Sequence, residues 1–413
     1  MLNAKKLIQL SEEVGQEKFK AEIGEMFGVV KQADGTKKYD ASKAGIDAKN
    51  VSIQEIAMEF GGFPTVHALS RHLLEAGGQV MPSNFAHINA YTDTISGLLD
   101  AIVLKGYQAV EFIGKELIGT RQTRRNGGKD IDITLDGQLK GEIPLGVELP
   151  SLGLSETWVT YPVNKRWGSK IEINKYDFIY DRTDKIQREA TNTGYLTGYQ
   201  VETAIAQTVL GITNSYKRLD TANNTYQTSA GASPFTYVNQ LTNALLTYNN
   251  INLGHILLQK NYDPTTGLEI SIPTPSLLVM PQNQIQGQAL IRATEINSYS
   301  VAGTTNFPST RTTFTNPMSG YDLKVASMLW YNLLVKAAAS GGEGASTTNA
   351  AARWHIGDFS RAFKWLIVLP FQTWSAPLSS ADMAKGVSLV YLAEECGVPV
   401  VEAPEYAGKM TLE

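Results

Sequence analysis

The sequence has few of the features that mark secreted and membrane proteins. Its 413 residues include a single cysteine, Cys396, which excludes a disulfide framework and fits a reducing compartment. No apolar run approaches the roughly 20 residues that a membrane-spanning helix needs. The first ten residues are too polar to contain the apolar core of a signal peptide. We therefore expect a protein that neither enters a membrane nor depends on disulfides.

A concentrated positive charge is also missing. The formal net charge is −4 at pH 7, and the sequence contains no block of lysine and arginine. Proteins that bind nucleic acid specifically generally carry a basic stripe, because neutralisation of phosphates supplies much of their affinity. The composition therefore disfavours sequence-specific binding of DNA or RNA.

Residues with the spacing of a catalytic or metal site are scarce as well. The five histidines form neither an HExxH motif nor a zinc pattern with the one cysteine. Cys396 follows Glu395, and a neighbouring carboxylate disfavours the thiolate that a nucleophile requires. The glycine-rich stretch 340–346 lacks the Lys-Ser/Thr of a phosphate-binding loop. We expect no catalytic residue, no metal and no cofactor.

What the sequence does contain is a globular composition with an unusual N-terminal part. Hydrophobic residues make up 43% of the chain, and 19 of the first 60 residues are charged, against 57 of the remaining 353. Within residues 1–25 the apolar positions of an amphipathic helix are Leu7, Leu10, Val14 and Phe19. A second helical pattern begins at Asp93 and continues to Leu117, with Gly119 beyond its end. We expect both regions to be helical.

An alternating pattern follows in residues 156–181. Apolar residues alternate with polar ones, and the turn-like, charged stretch 164–168 interrupts the alternation. This pattern predicts a β-hairpin of two strands around an exposed loop. The apolar positions are Val159, Tyr161, Val163, Ile171 and Ile173.

A helical period takes over immediately after the strands. Asp184 and Gln187 resemble a capping box, and Gly211 is placed to end the helix. At 1.5 Å per residue this helix would be roughly 40 Å long, well above the average for globular proteins. A protruding hairpin beside a long helix suits contact with neighbouring molecules better than it suits holding a substrate.

The order of these segments resembles the major capsid proteins of tailed double-stranded DNA bacteriophages, which share the Hong Kong 97 shell fold. In that family an extended E-loop precedes the long spine helix of the P-domain, a compact A-domain follows, and the chain returns to the P-domain. Four later segments continue the resemblance as strands of the A-domain and P-domain, namely 275–282 with a short helix after it, 316–330, 352–365 and 386–406.

The resemblance implies an α+β fold and a division of the chain. We expect a charged helical N-terminal arm in 1–120, the E-loop region in 121–170, the P-domain with its spine helix in 171–225, the A-domain in 226–350, and return strands in 351–413. The family's arm lies across neighbouring subunits. The alternative is a small helical subdomain packed on its own subunit.

The resemblance also implies a structural function. The protein would assemble with itself into hexamers and pentamers, and these would form an icosahedral shell around viral double-stranded DNA without sequence-specific binding. A portal protein, and scaffold or decoration proteins, would be further partners. Assembly would take place in the cytoplasm of a bacterial host, and the final location would be the virion capsid.

Two sets of residues are candidates for this function. Tyr161, Lys165, Arg166 and Trp167 would contact the next subunit, because aromatic residues and arginine dominate interface energetics. Gly194 and Gly198 lie four residues apart in the long helix, where each costs roughly 1 kcal/mol relative to alanine. They mark either close packing by another element or a point at which the helix bends.

Two other functions deserve comparison. An encapsulin-like cellular compartment would have the same fold, although encapsulins are usually shorter and lack so long a charged N-terminal part. The stretch 128–137 contains Asp130 and Asp132, and its sequence resembles the nucleophile motif of Mg²⁺-dependent phosphatases. A polar turn precedes Asp130, however, and we expect a half-buried strand with the acidic residues facing outward.

Overall fold

The computed structural model is a mixed structure, and it confirms the α+β class. It describes residues 16–32, 36–48, 51–52, 54, 56, 58, 88–110, 112–136, 153–174, 176–177, 180, 182–231, 236–245, 247–263, 268–300, 310–342, 344–376 and 387–412. None of the helices in these ranges combines the length and the apolar character needed to cross a membrane.

Helices occur along the whole described chain. They are α1 (Gln16–Met26), α2 (Ile88–Gln108), α3 (Ile113–Leu117), α4 (Thr183–Val209), α5 (Tyr248–Gln259), α6 (Gln284–Arg292), α7 (Met328–Ala339), α8 (Thr347–Ala352) and α9 (Phe359–Ala362).

Strands are mostly short, with two long ones near the C-terminus. They are β1 (Val29–Lys31), β2 (Lys37–Tyr39), β3 (Gly119–Gln122), β4 (Gly128–Asp136), β5 (Gly153–Tyr161), β6 (Lys165–Asn174), β7 (Tyr216–Arg218), β8 (Thr221–Asn223), β9 (Gln240–Thr242), β10 (Ser276–Val279), β11 (Glu295–Ser300), β12 (Thr310–Thr315), β13 (Asp322–Val325), β14 (Trp354–Gly357), β15 (Phe363–Ala376), β16 (Val387–Val401) and β17 (Ala407–Thr411).

The chain forms two compact units, and it enters each of them three times. Unit 1 comprises Met1–Glu111, Lys165–Val201 and Leu369–Gly397, and unit 2 comprises Phe112–Asn164, Glu202–Val368 and Val398–Glu413. The predicted P-domain, 171–225, and the predicted return region, 351–413, are therefore each divided between the two units. The assignment of these regions to capsid domains stays a prediction.

The described N-terminal residues are part of the core of unit 1. Phe19, Ile23 and Phe27 of α1 are almost completely buried, and they share one apolar core with residues of α2, α4, β6 and β16. A Cβ on Gly97 of α2 would lie 2.6 Å from Ile23 Cγ2, which shows how closely the two helices pack. Packing in the core of their own unit is what the subdomain alternative expects of these residues, and the assignment of 1–120 to an arm stays a prediction. Leu7, Leu10 and Val14 lie outside the described residues.

The helix predicted over 93–117 is interrupted. Helix α2 ends at Gln108, and the short helix α3 begins at Ile113. The apolar stripe continues across the break, with Val110 and Leu117 both buried. Apolar periodicity therefore predicted the burial correctly, although it could not place the end of the helix.

The long helix α4 is present and spans 27 residues, about 40 Å at 1.5 Å per residue. It ends as predicted: Gly211 has φ +68°, and the amide of Ile212 donates to the carbonyl of Gln207 at 2.9 Å, the pattern of a Schellman motif. The capping box is wrong, because α4 begins at Thr183 and Gln187 Nε2 donates to Ala48 O at 3.1 Å.

The centre of unit 2 is a five-stranded sheet in the order β13-β10-β14-β17-β9. The central strand β14 is fully buried, because Trp354 and Ile356 have no exposed surface. Helix α5 covers the sheet at Gly254, where a Cβ would lie 3.1 Å from the ring of Trp354. The four later segments that predicted strands contain β10, β13, β14 with the start of β15, and β16.

Candidate functional site: the hairpin and the long helix

The long β-hairpin is one strand upstream of its predicted position. The strands on either side of residues 164–168 exist, but β5 pairs antiparallel with β4, from Gly128 opposite Tyr161 to Asp136 opposite Gly153. Strand β6 pairs with β16 instead. The residues that connect β4 to β5 lie outside the described ranges. Alternation predicted the strands correctly, but it carries no information about which strand is the partner.

The hairpin joins the rest of unit 2 only near its base. Val159 and Thr160 of β5 pair with β7, whose own turn to β8 has Leu219 and Asp220 at positive φ. Lys129 Nζ lies 2.5 Å from a carboxylate oxygen of Asp220, and both side chains are about half exposed. Beyond Val159, no third strand flanks the hairpin in the part of the chain that the structure describes.

A polar cluster lies beneath the hairpin base, and the predicted contact residue Tyr161 is at its centre. The Tyr161 hydroxyl lies 2.8 Å from Asp130 Oδ2 and 3.2 Å from Glu402 Oε1. Arg121 of β3 donates to both oxygens of Asp130, at 2.5 and 3.3 Å, and to Glu402 Oε1 at 3.5 Å. Lys364 of β15 lies 3.9 Å from Glu402. The hairpin thus contributes Asp130 and Tyr161, and the body of unit 2 contributes the other three residues.

Burial determines the protonation of this cluster. It raises the pKa of Glu402, although Lys364, Tyr161 and Arg121 partly oppose the shift by stabilising the carboxylate. Burial also raises the pKa of the Tyr161 phenol, and the negative charge of Glu402 adds to the effect. Tyr161 therefore stays protonated at neutral pH, so its hydroxyl is a permanent donor to the two carboxylates.

The environment of Asp130 contradicts the predicted orientation of β4. Asp130 faces inward, where Arg121 binds it through two nitrogens, while the neighbouring Ile131 is 54% exposed. The outward-facing acidic residues of the prediction are thus wrong at Asp130. A carboxylate that an arginine and a tyrosine already occupy is a poor nucleophile for phosphoryl transfer. The side chain of Asp132 lies outside the described residues.

The other three predicted contact residues are in unit 1, at the start of β6 and not in a loop. Arg166 forms an ion pair with Glu394 of β16, and Trp167 Nε1 donates to the carbonyl of Gly397 at 3.2 Å. Lys165 is exposed to solvent. Contact of Tyr161, Lys165, Arg166 and Trp167 with another subunit stays a prediction, and three of the four already have partners within the chain.

Glycines allow the long helix to approach α2 closely within unit 1. A Cβ on Gly194 would lie 2.0 Å from Val103 O, and one on Gly106 would lie 2.2 Å from Thr191 O. The backbones of the two helices are therefore in contact, with a glycine from each helix at the crossing. Close packing thus accounts for Gly194. Gly198, one turn further, is buried, and bending of the helix at either glycine stays a prediction.

Sequence reasoning missed Arg121, Lys364 and Glu402. Each is a charged residue without a local motif, and Glu402 lies 281 positions from Arg121. They come together because β3, which carries Arg121, pairs with β15, which carries Lys364, and because Glu402 directly follows β16. Within the described residues, no group of three or more His, Cys, Asp or Glu side chains is placed to hold a metal ion.

A scan against models of known families and a search of curated proteins both find no match. A search of solved structures finds similar chains. One is the capsid structure of the cyanophage P-SCSP1u, with TM-score 0.42 and 9% identity over 71% of this chain and 86% of that chain. Another is a virus-like particle from Pyrococcus furiosus, with TM-score 0.39 and 9% identity over 76% and 98% of the two chains.

The mature capsid of bacteriophage PhiM1 is a third similar structure, with TM-score 0.39 and 12% identity over 73% of this chain and 87% of that chain. All three TM-scores lie below 0.5.

Proposed function

We propose that this chain is a major capsid protein that assembles into hexamers and pentamers of an icosahedral shell around double-stranded DNA. One observation carries the proposal: the hairpin of β4 and β5 has nine residue pairs, it joins a third strand among the described residues only near its base, and it precedes a helix of 27 residues. Along most of its described length, such a hairpin has no flanking strand on either edge. It is suited to a contact between subunits.

The exposed surface of the hairpin supports this role. Beyond Trp158, neither outer edge of the ribbon pairs with another strand among the described residues, and Ile131 is exposed on β4. Exposed edges and apolar side chains on a strand favour pairing with another chain. Since many copies must form both flat and curved clusters, a contact through a slender ribbon tolerates small changes of angle.

The proposal extends to partners and location. A shell that encloses DNA without reading its sequence fits a chain with net charge −4 and no basic block. Portal, scaffold or decoration proteins would complete the particle, which would assemble in the cytoplasm of a bacterial host and become the virion capsid. The described cluster around Asp130 supports a structural protein over an enzyme.

The first experiment is negative-stain electron microscopy of the purified protein, expressed alone and then with candidate scaffold proteins. We expect closed shells or rings of fivefold and sixfold symmetry. Discrete monomers under both conditions would contradict the proposal. Nucleic acid inside shells formed during infection would separate a virus from an encapsulin-like compartment, which would contain protein cargo instead.

A truncated hairpin tests which element makes the contact. Ile131 and Trp158 are register partners, so residues 132–157 can be replaced by an Asn-Gly turn that keeps the base and its polar cluster. We expect folded subunits that do not close into shells. Normal shells from the truncated protein would contradict the role of the hairpin.

Asp130→Asn tests the phosphatase alternative, which predicts Mg²⁺-dependent turnover that this change abolishes.

A further inference from the structure

The position of Tyr161 gives it control over the geometry of the hairpin. It is the last residue of β5, opposite the first residue of β4, so it lies where the ribbon leaves the body of unit 2. Its hydroxyl connects Asp130, which belongs to the hairpin, with Glu402, which does not. We propose that Tyr161 is a positioning residue that fixes the direction of the hairpin by bridging these two carboxylates.

Backbone pairing alone leaves this direction weakly determined. Among the residues that the structure describes, only Val159 and Thr160 continue the hairpin into a third strand. A nine-residue strand extends about 30 Å, so a rotation of about 10° at the base moves the far end by roughly 5 Å. A contact at the far end is therefore sensitive to small changes at the base. A side chain that restrains the base has a large effect on where the hairpin reaches.

Both parts of the tyrosine contribute to the restraint. The ring packs against a small apolar cluster of Leu366, Val398 and Val400, all of which are buried. The hydroxyl then bridges the carboxylates from a fixed ring. The hydroxyl proton is shared between Asp130 Oδ2 at 2.8 Å and Glu402 Oε1 at 3.2 Å, and the bond to Glu402 is the one that joins the hairpin to the body of the unit.

The charged side chains near the hairpin base restrain it less well than Tyr161 does. Arg121 also touches both carboxylates, but its contact with Glu402 is 3.5 Å and its side chain is 48% exposed. The exposed pair of Lys129 and Asp220 lies at the same base, and exposed ion pairs of this kind contribute little. Tyr161 is a partly buried donor, and its bonds to charged acceptors are of the stronger class, whereas Lys364, also partly buried, is 3.9 Å from Glu402.

This inference deepens the proposed function, because a shell contact through the hairpin depends on the direction of the hairpin. It is tested on single subunits, so its result does not depend on whether shells form. The measurement is the distance between two nitroxide labels by double electron–electron resonance. The labels are placed at Glu156→Cys on β5 and Lys336→Cys on α7, two exposed positions of unit 2, in a Cys396→Ala background.

We compare the labelled protein with and without Tyr161→Phe, diluted into unlabelled protein so that only distances within one chain are measured. We expect a narrow distribution for the unaltered protein. For Tyr161→Phe the population of displaced orientations should rise about tenfold or more, the factor that corresponds to loss of one hydrogen bond to a charged group. Hydrogen exchange of the β4 and β5 amides should stay unchanged, which shows that the hairpin itself remains paired.

Tyr237→Phe is the matched control. Tyr237 is buried in the same unit, and its hydroxyl donates to Asn224 O at 2.7 Å, so this variant also removes a tyrosine hydroxyl that is hydrogen-bonded. Its distance distribution should match that of the unaltered protein. Equal widths for Tyr161→Phe and the unaltered protein would overturn the inference, as would equal broadening in both tyrosine variants. Glu402→Gln keeps an acceptor for the hydroxyl and should stay narrow; a broad distribution there would assign the restraint to the ion pairs instead.

Discussion

Replacement of Gly194 by alanine should destabilise the protein, against the preference of helices for alanine. The added Cβ would lie 2.0 Å from Val103 O and 2.8 Å from Tyr107 N. An ordinary contact needs more than 3 Å, so α2 and α4 would have to separate by about 1 Å at their crossing. Both obstacles are backbone atoms, which cannot rotate away as a side chain can.

The magnitude follows from two opposing terms. Alanine in place of glycine stabilises an exposed helix interior by about 1 kcal/mol. Overpacking a tight contact costs about 1–3 kcal/mol, and contact with backbone belongs at the upper end of this range. We therefore expect Gly194→Ala to lower the free energy of unfolding by about 2 kcal/mol, measured by urea denaturation followed by circular dichroism.

Two further variants make this prediction specific. Gly24→Ala in α1 is the control, because its Cβ would meet no atom nearer than 3.6 Å, and we expect stabilisation of about 0.5–1 kcal/mol. Gly106→Ala meets the same crossing from the other helix, with a Cβ 2.2 Å from Thr191 O. Since one separation of the helices relieves both clashes, the double variant should cost less than the sum of the two. If Gly194→Ala and Gly24→Ala were equally stabilising, the close contact of α2 and α4 would be refuted.

Three more predictions concern buried groups. Glu202 accepts hydrogen bonds from Gly114 N and Trp330 Nε1, each at 2.8 Å, so Glu202→Ala should cost about 3 kcal/mol in urea denaturation by leaving both donors without an acceptor. Burial raises the pKa of the Glu202 carboxyl. The stability that this group contributes is therefore present at low pH and is lost as the pH rises through its pKa in the folded state. Glu202→Gln should remove this pH dependence, and at pH 7 it should unfold no more easily than the unaltered protein. Burial lowers the pKa of His355 well below its usual value of 6.5, so the imidazole takes up a proton only in the unfolded chain. Below pH 6.5 the free energy of unfolding should therefore fall by about 1.4 kcal/mol for each unit by which the pH is lowered. The same pH dependence in His355→Leu would contradict the assignment of this effect to His355. Gly211→Ala should cost about 1–2 kcal/mol, read from the melting temperature, because φ is +68° and a Cβ would lie 2.6 Å from the ring of Tyr226.

Periodicity in the sequence predicted the elements that local patterns determine. Helix α4 and its end at Gly211 followed from a 3.6-residue period and a glycine in the αL conformation. The sites of β5 and β6 followed from alternation. These features depend on residues within a few positions of each other, which is the range in which a sequence pattern carries information.

Pairing and orientation depended on distant residues and were predicted poorly. The partner of β6 is β16, more than 200 positions away, so the hairpin was placed one strand too late. Arg121 and Glu402 turn Asp130 inward, and neither belongs to a motif around Asp130. The resemblance implied an N-terminal arm in a charged part of the chain, and there Phe19 and its neighbours are buried. A few apolar residues at the right spacing decided the packing, and the number of charges did not.

The three-part composition of unit 1 delays its folding until late in synthesis. Phe19, near the start of the described chain, and Tyr391, near its end, are both buried in one core. A chain emerging from the ribosome therefore cannot complete unit 1 until residues 387–397 have been made, and contacts of such long sequence separation form slowly. The core of unit 1 therefore closes only when the chain is nearly finished.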